Sequence, residues 1–342
     1  MKKIFLKDKI VIIIISILLF SLIATSCGSM DTNGADKVKN TGDFEILEAD
    51  IEKETEEEKP VTLQDTKMKD ITVYYEDESG FVVPVFTQIP WTEGIAKMTL
   101  KCMVVGSETE KRIAKSGFHG LLPEGTEIRG MAIKDGVCKI DFNKNILNTS
   151  SYEQEENMIT AITYTLTEFP TIDKVELLVG GQKLDTLSKG YEINKVFEKE
   201  NINLYDSTNG INYTIYYKSL DTEDEGHYVP ITFSFNIVNK PFVSVVEKLF
   251  SGAPAELNLS NNIPEYIKLR GVEVKEDTAI VNLGADAVNL TEQEFNDMNT
   301  VVVLCLEQFD IENVDYQVEG MSFEEAGMDW EDDYKLPSIN KY

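Results

Sequence analysis

Two histidines and four cysteines are the residues of this chain best suited to proton transfer, nucleophilic attack or metal binding. His119 sits in Gly117-Phe118-His119-Gly120, and His227 stands beside Tyr228. Neither has a serine or cysteine in a nucleophile motif, and HExxH and GxSxG do not occur. Both histidines read as surface-loop residues. Cys102, Cys138 and Cys305 show no CxxC spacing and read as buried free thiols, the first and last on apolar helix faces and Cys138 in a strand. Asp221-Thr222-Glu223-Asp224-Glu225-Gly226 resembles the front of a calcium loop, but Thr232 stands where the bidentate glutamate belongs. That stretch reads as a solvated hairpin tip. Gly180-Gly181-Gln182 follows a strand but precedes no helix, so it reads as a turn and not as a phosphate cradle. The residues lead to an expectation of no catalytic group, no metal and no cofactor.

Cys27 invites a different chemistry. Met1-Lys2-Lys3, Lys7 and Lys9 form a basic head, an apolar core runs from Ile10 to Ile23, and Ala24-Thr25-Ser26 precede Cys27. Small residues at the end of such a core, without stop-transfer charges, fit a cleaved signal better than a membrane span. Cys27 in that position resembles the acylated cysteine of a bacterial lipobox, although Ala24 replaces the usual leucine. A lipid there anchors the chain to the outer face of the cytoplasmic membrane without a permanent helix. Residues 1–27 are therefore read as a lipoprotein signal peptide. Residues 28–68, with Glu56-Glu57-Glu58 before Pro60, read as an acidic flexible linker.

The elements that must position everything else come in duplicate. Arg129-Gly130, Met131-Ala132-Ile133, a turn at Lys134-Asp135-Gly136 and Val137–Phe142 are echoed by Arg270-Gly271, Val272-Glu273-Val274, Lys275-Glu276-Asp277 and Ala279–Leu283. Leu166-Thr167-Glu168-Phe169 is echoed by Leu306-Glu307-Gln308-Phe309, and Gly181 by Gly320. An offset of roughly 140 residues means duplication of a whole domain, not a short-period solenoid. In the alignment Asp141 falls opposite Asn282 and Thr165 opposite Cys305, so neither a carboxylate nor a thiol is required at those places.

Each copy begins with two strands, Ile71–Tyr75 and Phe81–Phe86, then Tyr213–Tyr217 and Tyr228–Phe233. Val83-Pro84 and Val229-Pro230 fall at the same point, and proline there predicts a sheet edge or the point where the strand begins its pairing. A helix follows, with Ile95, Met98, Cys102 and Met103 as its apolar stripe in the first copy. In the second, Asn239 is the expected cap, Pro241 lies in the first turn, and Phe242, Val245, Val246, Leu249 and Phe250 form the stripe. The second helix is announced by Ser150 or Ser151 in one copy and Thr291-x-x-Glu294 in the other. Ile159, Ile162, Leu166 and Phe169, like Met298, Val302, Cys305 and Phe309, share one face, worth roughly 6–12 kcal/mol gross when buried. The fold class is α+β, two tandem ββαββαβ repeats, each a small sheet with two helices on one face. The expected boundaries are 69–190 and 211–320 for the domains, 191–210 for a connector, and 321–342 for a partly ordered acidic tail carrying Trp330.

The quoted residues carry a resemblance to a known family. Leu122-Pro123-x-Gly125-Thr126, Lys134-Asp135-Gly136 with Asp141-Phe142, Thr163-x-Thr165-Leu166-Thr167-Glu168-Phe169-Pro170 and Val175–Gly181 resemble the GerM (GerMN) domain family of sporulation and spore-germination lipoproteins. Pro264, Lys275-Glu276-Asp277, Leu306–Phe309 and Val314–Gly320 repeat these features in degraded form. The family is similar to ring-building modules of export machines, and the resemblance carries over no catalytic residue. It implies protein partners in the cell envelope, such as a channel complex between mother cell and forespore.

With a net charge of −28, the chain is repelled by nucleic acid and anionic headgroups, which excludes nucleic acid as a partner. The first expectation is a non-enzymatic assembly lipoprotein that meets the membrane only through its lipid. The alternative is an envelope lipoprotein that binds cell-wall or small-molecule ligands through Trp91, Tyr74, Tyr75, Tyr216 and Tyr217, side chains that also suit half-buried strand positions. The oligomeric state is open.

Overall fold

The long hairpin at the start of each repeat sets the architecture. A computed structural model describes residues 67–206, 208–220, 226–236, 239–311, 313–328 and 339–342. The signal segment with Cys27, the acidic linker up to residue 66, the calcium-like residues 221–225 and Trp330 lie outside the described residues. The first repeat runs β1 (Met68–Asp77), β2 (Val82–Pro90), α1 (Ile95–Cys102), α2 (Glu108–Ile113), β3 (Phe118–His119), β4 (Ile128–Lys134), β5 (Val137–Phe142), α3 (Tyr152–Thr167), β6 (Lys174–Val179) and β7 (Val196–Phe197). The second runs β8 (Ile211–Ser219), β9 (Tyr228–Phe235), α4 (Pro241–Phe250), β10 (Leu259–Ser260), β11 (Leu269–Lys275), β12 (Thr278–Leu283), α5 (Glu292–Leu306), β13 (Asn313–Val318) and β14 (Met321–Ser322). Among the described residues no helix is long and apolar enough to cross a membrane.

The two repeats are threaded alike. Their strands divide between two sheets, ordered β2-β1-β3 and β4-β5-β6-β7 in the first repeat, and β10-β8-β9 and β11-β12-β13-β14 in the second. β5 and β6 run parallel with α3 as the crossover, as do β12 and β13 with α5. The Arg-Gly pairs mark a register shift at the same place, between Ile128 and Gly130 and between Leu269 and Gly271. As the prolines imply, β2 and β9 are edge strands.

The helix stripes are core. Ile159, Ile162 and Leu166 on α3, and Met298, Val302 and Cys305 on α5, are fully buried or nearly so. Ser151 supplies the cap of α3, and Thr291 with Glu294 forms the reciprocal capping box of α5. Two expectations for the first helices need correction. Met98 is 37% exposed, and α1 turns Ala96, Thr99 and Leu100 inward beside Cys102 and the following Met103, which are buried as expected. Small and hydroxyl-bearing side chains disguised that face. Asn239 is not the cap: Lys240 is, in a left-handed conformation (φ 52°) without a side-chain bond. Gly94 does the same for α1 at φ 76°, so both helices need that bend before their first turn.

Candidate functional site

Two four-residue segments, Ile202-Asn203-Leu204-Tyr205 and Ile339-Asn340-Lys341-Tyr342, join the repeats. Each asparagine has a left-handed backbone, φ 48° at Asn203 and 53° at Asn340. The side chain of Asn203 accepts from Val82 N at 2.8 Å and donates to Val82 O at 2.8 Å and Pro230 O at 2.7 Å. Asn340 accepts from Tyr228 N at 2.7 Å and donates to Tyr228 O at 2.9 Å and Pro84 O at 2.7 Å. Val82 and Tyr228 are matching positions, and so are Pro84 and Pro230. One pattern is thus written twice with the repeats exchanged.

The backbones continue the exchange. Phe86 N donates to Asn340 O and Tyr342 N to Phe86 O, both at 3.0 Å. In the other half, Thr232 N donates to Ile202 O at 3.1 Å and Tyr205 N to Thr232 O at 2.9 Å. Tyr342 then packs on Phe118 and Tyr205 on Phe233. The last residues of each repeat therefore clasp the proline-bearing edge strand of the other. Proline had withdrawn an amide from each edge, and the asparagine side chains supply the missing complement without direct pairing of β2 with β9. The edges of β4 and β11 stay unpaired within their sheets.

His227 lies in this seam, which corrects its reading as a surface-loop residue. Its side chain is 11% exposed, and Nε2 lies 2.8 Å from Oδ2 of Asp77, itself 3% exposed. Nδ1 lies 3.1 Å from Ser219 Oγ. Serine, histidine and aspartate stand in line, and each end of the line also closes a hairpin. Ser219 closes the β8–β9 hairpin, taking the His227 amide on Oγ at 3.2 Å. Asp77 closes β1–β2, taking the amides of Ser79 and Phe81 on Oδ1 at 3.0 and 2.9 Å. The serine sits on the nitrogen of its own hairpin's histidine, and it is the serine and the aspartate, one on each side of the ring, that also hold backbone amides. Two hairpin closures meet across the seam, and Phe118 stacks edge-on against the imidazole. His119, by contrast, is exposed on β3.

A second buried carboxylate fixes the stretch between the repeats. Glu155 is fully buried on α3. Its Oε1 accepts from Thr149 Oγ1 at 2.7 Å, Ser188 Oγ at 3.0 Å and Lys189 N at 2.8 Å, and its Oε2 from Tyr191 N at 3.1 Å. Burial pushes this carboxyl up, but the bonds outweigh burial and hold it below the usual carboxylate range. In the second repeat the same helical position carries Phe295, packed on Tyr316 and Phe323.

The remaining sequence-derived candidates find structural places. Asp141 Oδ1 accepts from Gly181 N at 2.7 Å, and Asn282 Oδ1 accepts from Gly320 N at 3.0 Å. An acceptor oxygen is all the turn needs, which is why aspartate and asparagine exchange there. Gly180 and Gly181 have φ 62° and 79° and form the two-residue turn between Val179 and Gln182. Cys102, Cys138 and Cys305 are buried free thiols, and burial pushes Cys138 to about 11. Of the aromatics proposed for ligand binding, Tyr74, Tyr75 and Tyr217 are buried and Tyr216 half-buried, whereas Trp91 is 59% exposed. Among the described residues no group of His, Cys, Asp or Glu is arranged to hold a metal ion.

Sequence reasoning missed Asn203 and Asn340. The recurring Ile-Asn-x-Tyr was the available signal, lying in stretches set aside as connector and tail.

Two like-threaded α+β modules, each closing on the other, define the class of protein: the chain belongs to the Germane family of sporulation and spore germination, whose profile matches residues 72–185 and 214–324. It is similar to the spore germination protein GerM of Bacillus subtilis (strain 168), 28% identical over 293 residues that span 79% of this chain and 78% of that protein. The solved tandem GerMN domains of the sporulation protein GerM from Bacillus subtilis superpose with a TM-score of 0.65 at 27% identity, over 75% of this chain and 93% of that one. The first GerMN domain of the same protein, solved alone, covers 38% of this chain and 98% of its own at 31% identity, with a TM-score of 0.36. The family resemblance and the tandem α+β fold read from the sequence are both borne out.

Proposed function

We propose that this protein is an extracytoplasmic lipoprotein, held by Cys27 at the outer face of the cytoplasmic membrane, that acts without catalysis as an assembly module in sporulation or spore germination. Its partners are proteins of an envelope complex between mother cell and forespore. The reciprocal clasp carries the reading. It turns two modules into one body of fixed geometry and leaves the β4 and β11 edges for other chains, as a scaffold requires. The buried ionisable groups support the same reading, because Asp77, His227 and Glu155 are bonded to backbone or to each other across the fold.

Replacement of the chromosomal gene by a deletion, and separately by a Cys27→Ala allele, tests the proposal in cells. Loss of heat-resistant or germination-competent spores is expected from the deletion, and release from the membrane fraction from Cys27→Ala. Normal spores without the gene would count decisively against the role. A pull-down on purified peptidoglycan separates this reading from a wall-binding lipoprotein, which must be retained without protein partners.

A further inference from the structure

The duplication offers an internal comparison at the first helix of each repeat. Gly94 and Lys240 are the left-handed caps, and Gly106 and Gly252 follow the helices at φ 82° and 90°. These landmarks place Ala96 where the second repeat has Phe242. In the second repeat the Phe242 ring stands edge-on to Phe309, with centroids 6.5 Å apart, and Phe309 lies 5.1 Å from Tyr213. Phe169 holds the place of Phe309 in the first repeat, but Ala96 reaches no further than its methyl group.

What remains is a hollow of about 430 Å³ lined by Ile95, Ala96, Met131, Ile133, Phe169 and Ile172. Its size falls within the range of sites that enclose a small ligand. Ile133 on its rim is 46% exposed. Lys97 is the one charged side chain among the described residues that line it, in a chain of net charge −28. The one charge that its lining contributes is therefore positive, in a molecule that is acidic as a whole.

We infer that this hollow is a socket for an aromatic side chain of a partner protein, in a segment that flanks the ring with carboxylates. The second repeat shows which group fills the space, and Lys97 selects the charge beside it. The inference rests on the assembly reading only in taking the occupant to be a protein. Its test uses the purified chain, so its failure leaves the spore phenotype untouched.

The experiment is methionine-methyl NMR of the full chain, with Met131 reporting on the socket and the buried Met298 as control. The probes are the peptides Ac-Asp-Phe-Asp-NH2, Ac-Asp-Ala-Asp-NH2 and Ac-Lys-Phe-Lys-NH2, with hexanoate as an anion bearing an aliphatic tail. A saturable shift of Met131 with the first peptide is expected, at least about tenfold weaker with the alanine peptide. Lys97→Glu should reverse the preference between the acidic and basic peptides. Ala96→Phe, which fills the hollow from within, should raise the melting temperature and abolish the shift. No saturation, an equal response to the alanine peptide or hexanoate, an unchanged charge preference in Lys97→Glu, or a lowered melting temperature in Ala96→Phe would each overturn the assignment.

Discussion

Thr165 and Cys305 accept the same backbone bond in the two repeats. Tyr74 N donates to Thr165 Oγ1 at 3.0 Å, and Tyr216 N donates to Cys305 Sγ at 3.3 Å. The bond ties β1 to α3 in the first repeat and β8 to α5 in the second, and sulfur substitutes for oxygen as a weaker acceptor. Cys305→Thr should therefore stay within about 1 kcal/mol of wild type, whereas Cys305→Ala orphans a half-buried amide and costs roughly 1–2 kcal/mol. Urea denaturation of both variants checks the difference. Burial pushes the Cys305 thiol up to about 12, so it should resist alkylation until the chain unfolds.

The paired tyrosines Tyr75 and Tyr217 behave oppositely. Tyr75 Oη donates to Cys102 O at 3.1 Å, whereas the buried Tyr217 Oη finds no partner among the described residues. Removing the first hydroxyl, Tyr75→Phe, is expected to cost about 0.5–1.5 kcal/mol, and Tyr217→Phe to be neutral or stabilising by up to about 1 kcal/mol. Equal losses in both variants, measured by chemical denaturation, would contradict the assignment.

Glu155 gives the fold an acid-sensitive point. Its folded carboxyl titrates below the unfolded value, near 4.3 for glutamate, so its contribution is full above that value. The contribution is lost as pH falls through the lower, folded value. Glu155→Gln turns a donor toward an amide or hydroxyl donor and should cost roughly 1.5–3 kcal/mol at neutral pH. Stability measured from pH 7 to pH 3 should fall less steeply in the variant than in wild type.

The asparagines of the clasp need both ends of the amide. Asn340→Asp keeps the shape but sets a carboxylate oxygen against the carbonyls of Pro84 and Tyr228, which now receive Nδ2. It should destabilise at least as much as Asn340→Ala, which forfeits three bonds and costs about 2–4 kcal/mol. Thermal melts rank the two variants, and an Asn340→Asp protein as stable as wild type would exclude the donor role.

The duplicated module was legible in the sequence because hydrophobic period, turn residues and proline position all agreed, as in Asp135-Gly136 and the Val-Pro pairs. The buried faces of α3 and α5 followed from spacing alone. The face of α1 did not, because Ala96 and Thr99 carry little hydropathic signal although packing places them inward. The seam was hidden for a different reason. His227 meets Asp77, Asn203 meets Val82 and Asn340 meets Tyr228 across more than a hundred residues of chain, and polar side chains that bond backbone leave no periodic trace. Recurrence of Ile-Asn-x-Tyr was the only local hint, and a motif of four residues is visible only when both ends of the duplication are compared.

Calorimetry of the chain from Lys67 onward tests the clasp most directly. The wild type should melt as one cooperative unit. Asn203→Ala with Asn340→Ala should separate the repeats into two transitions, the first lowered by about 10 °C or more. A double variant that still melts in a single step within about 2 °C of wild type would show that the repeats are held together by something other than these two side chains.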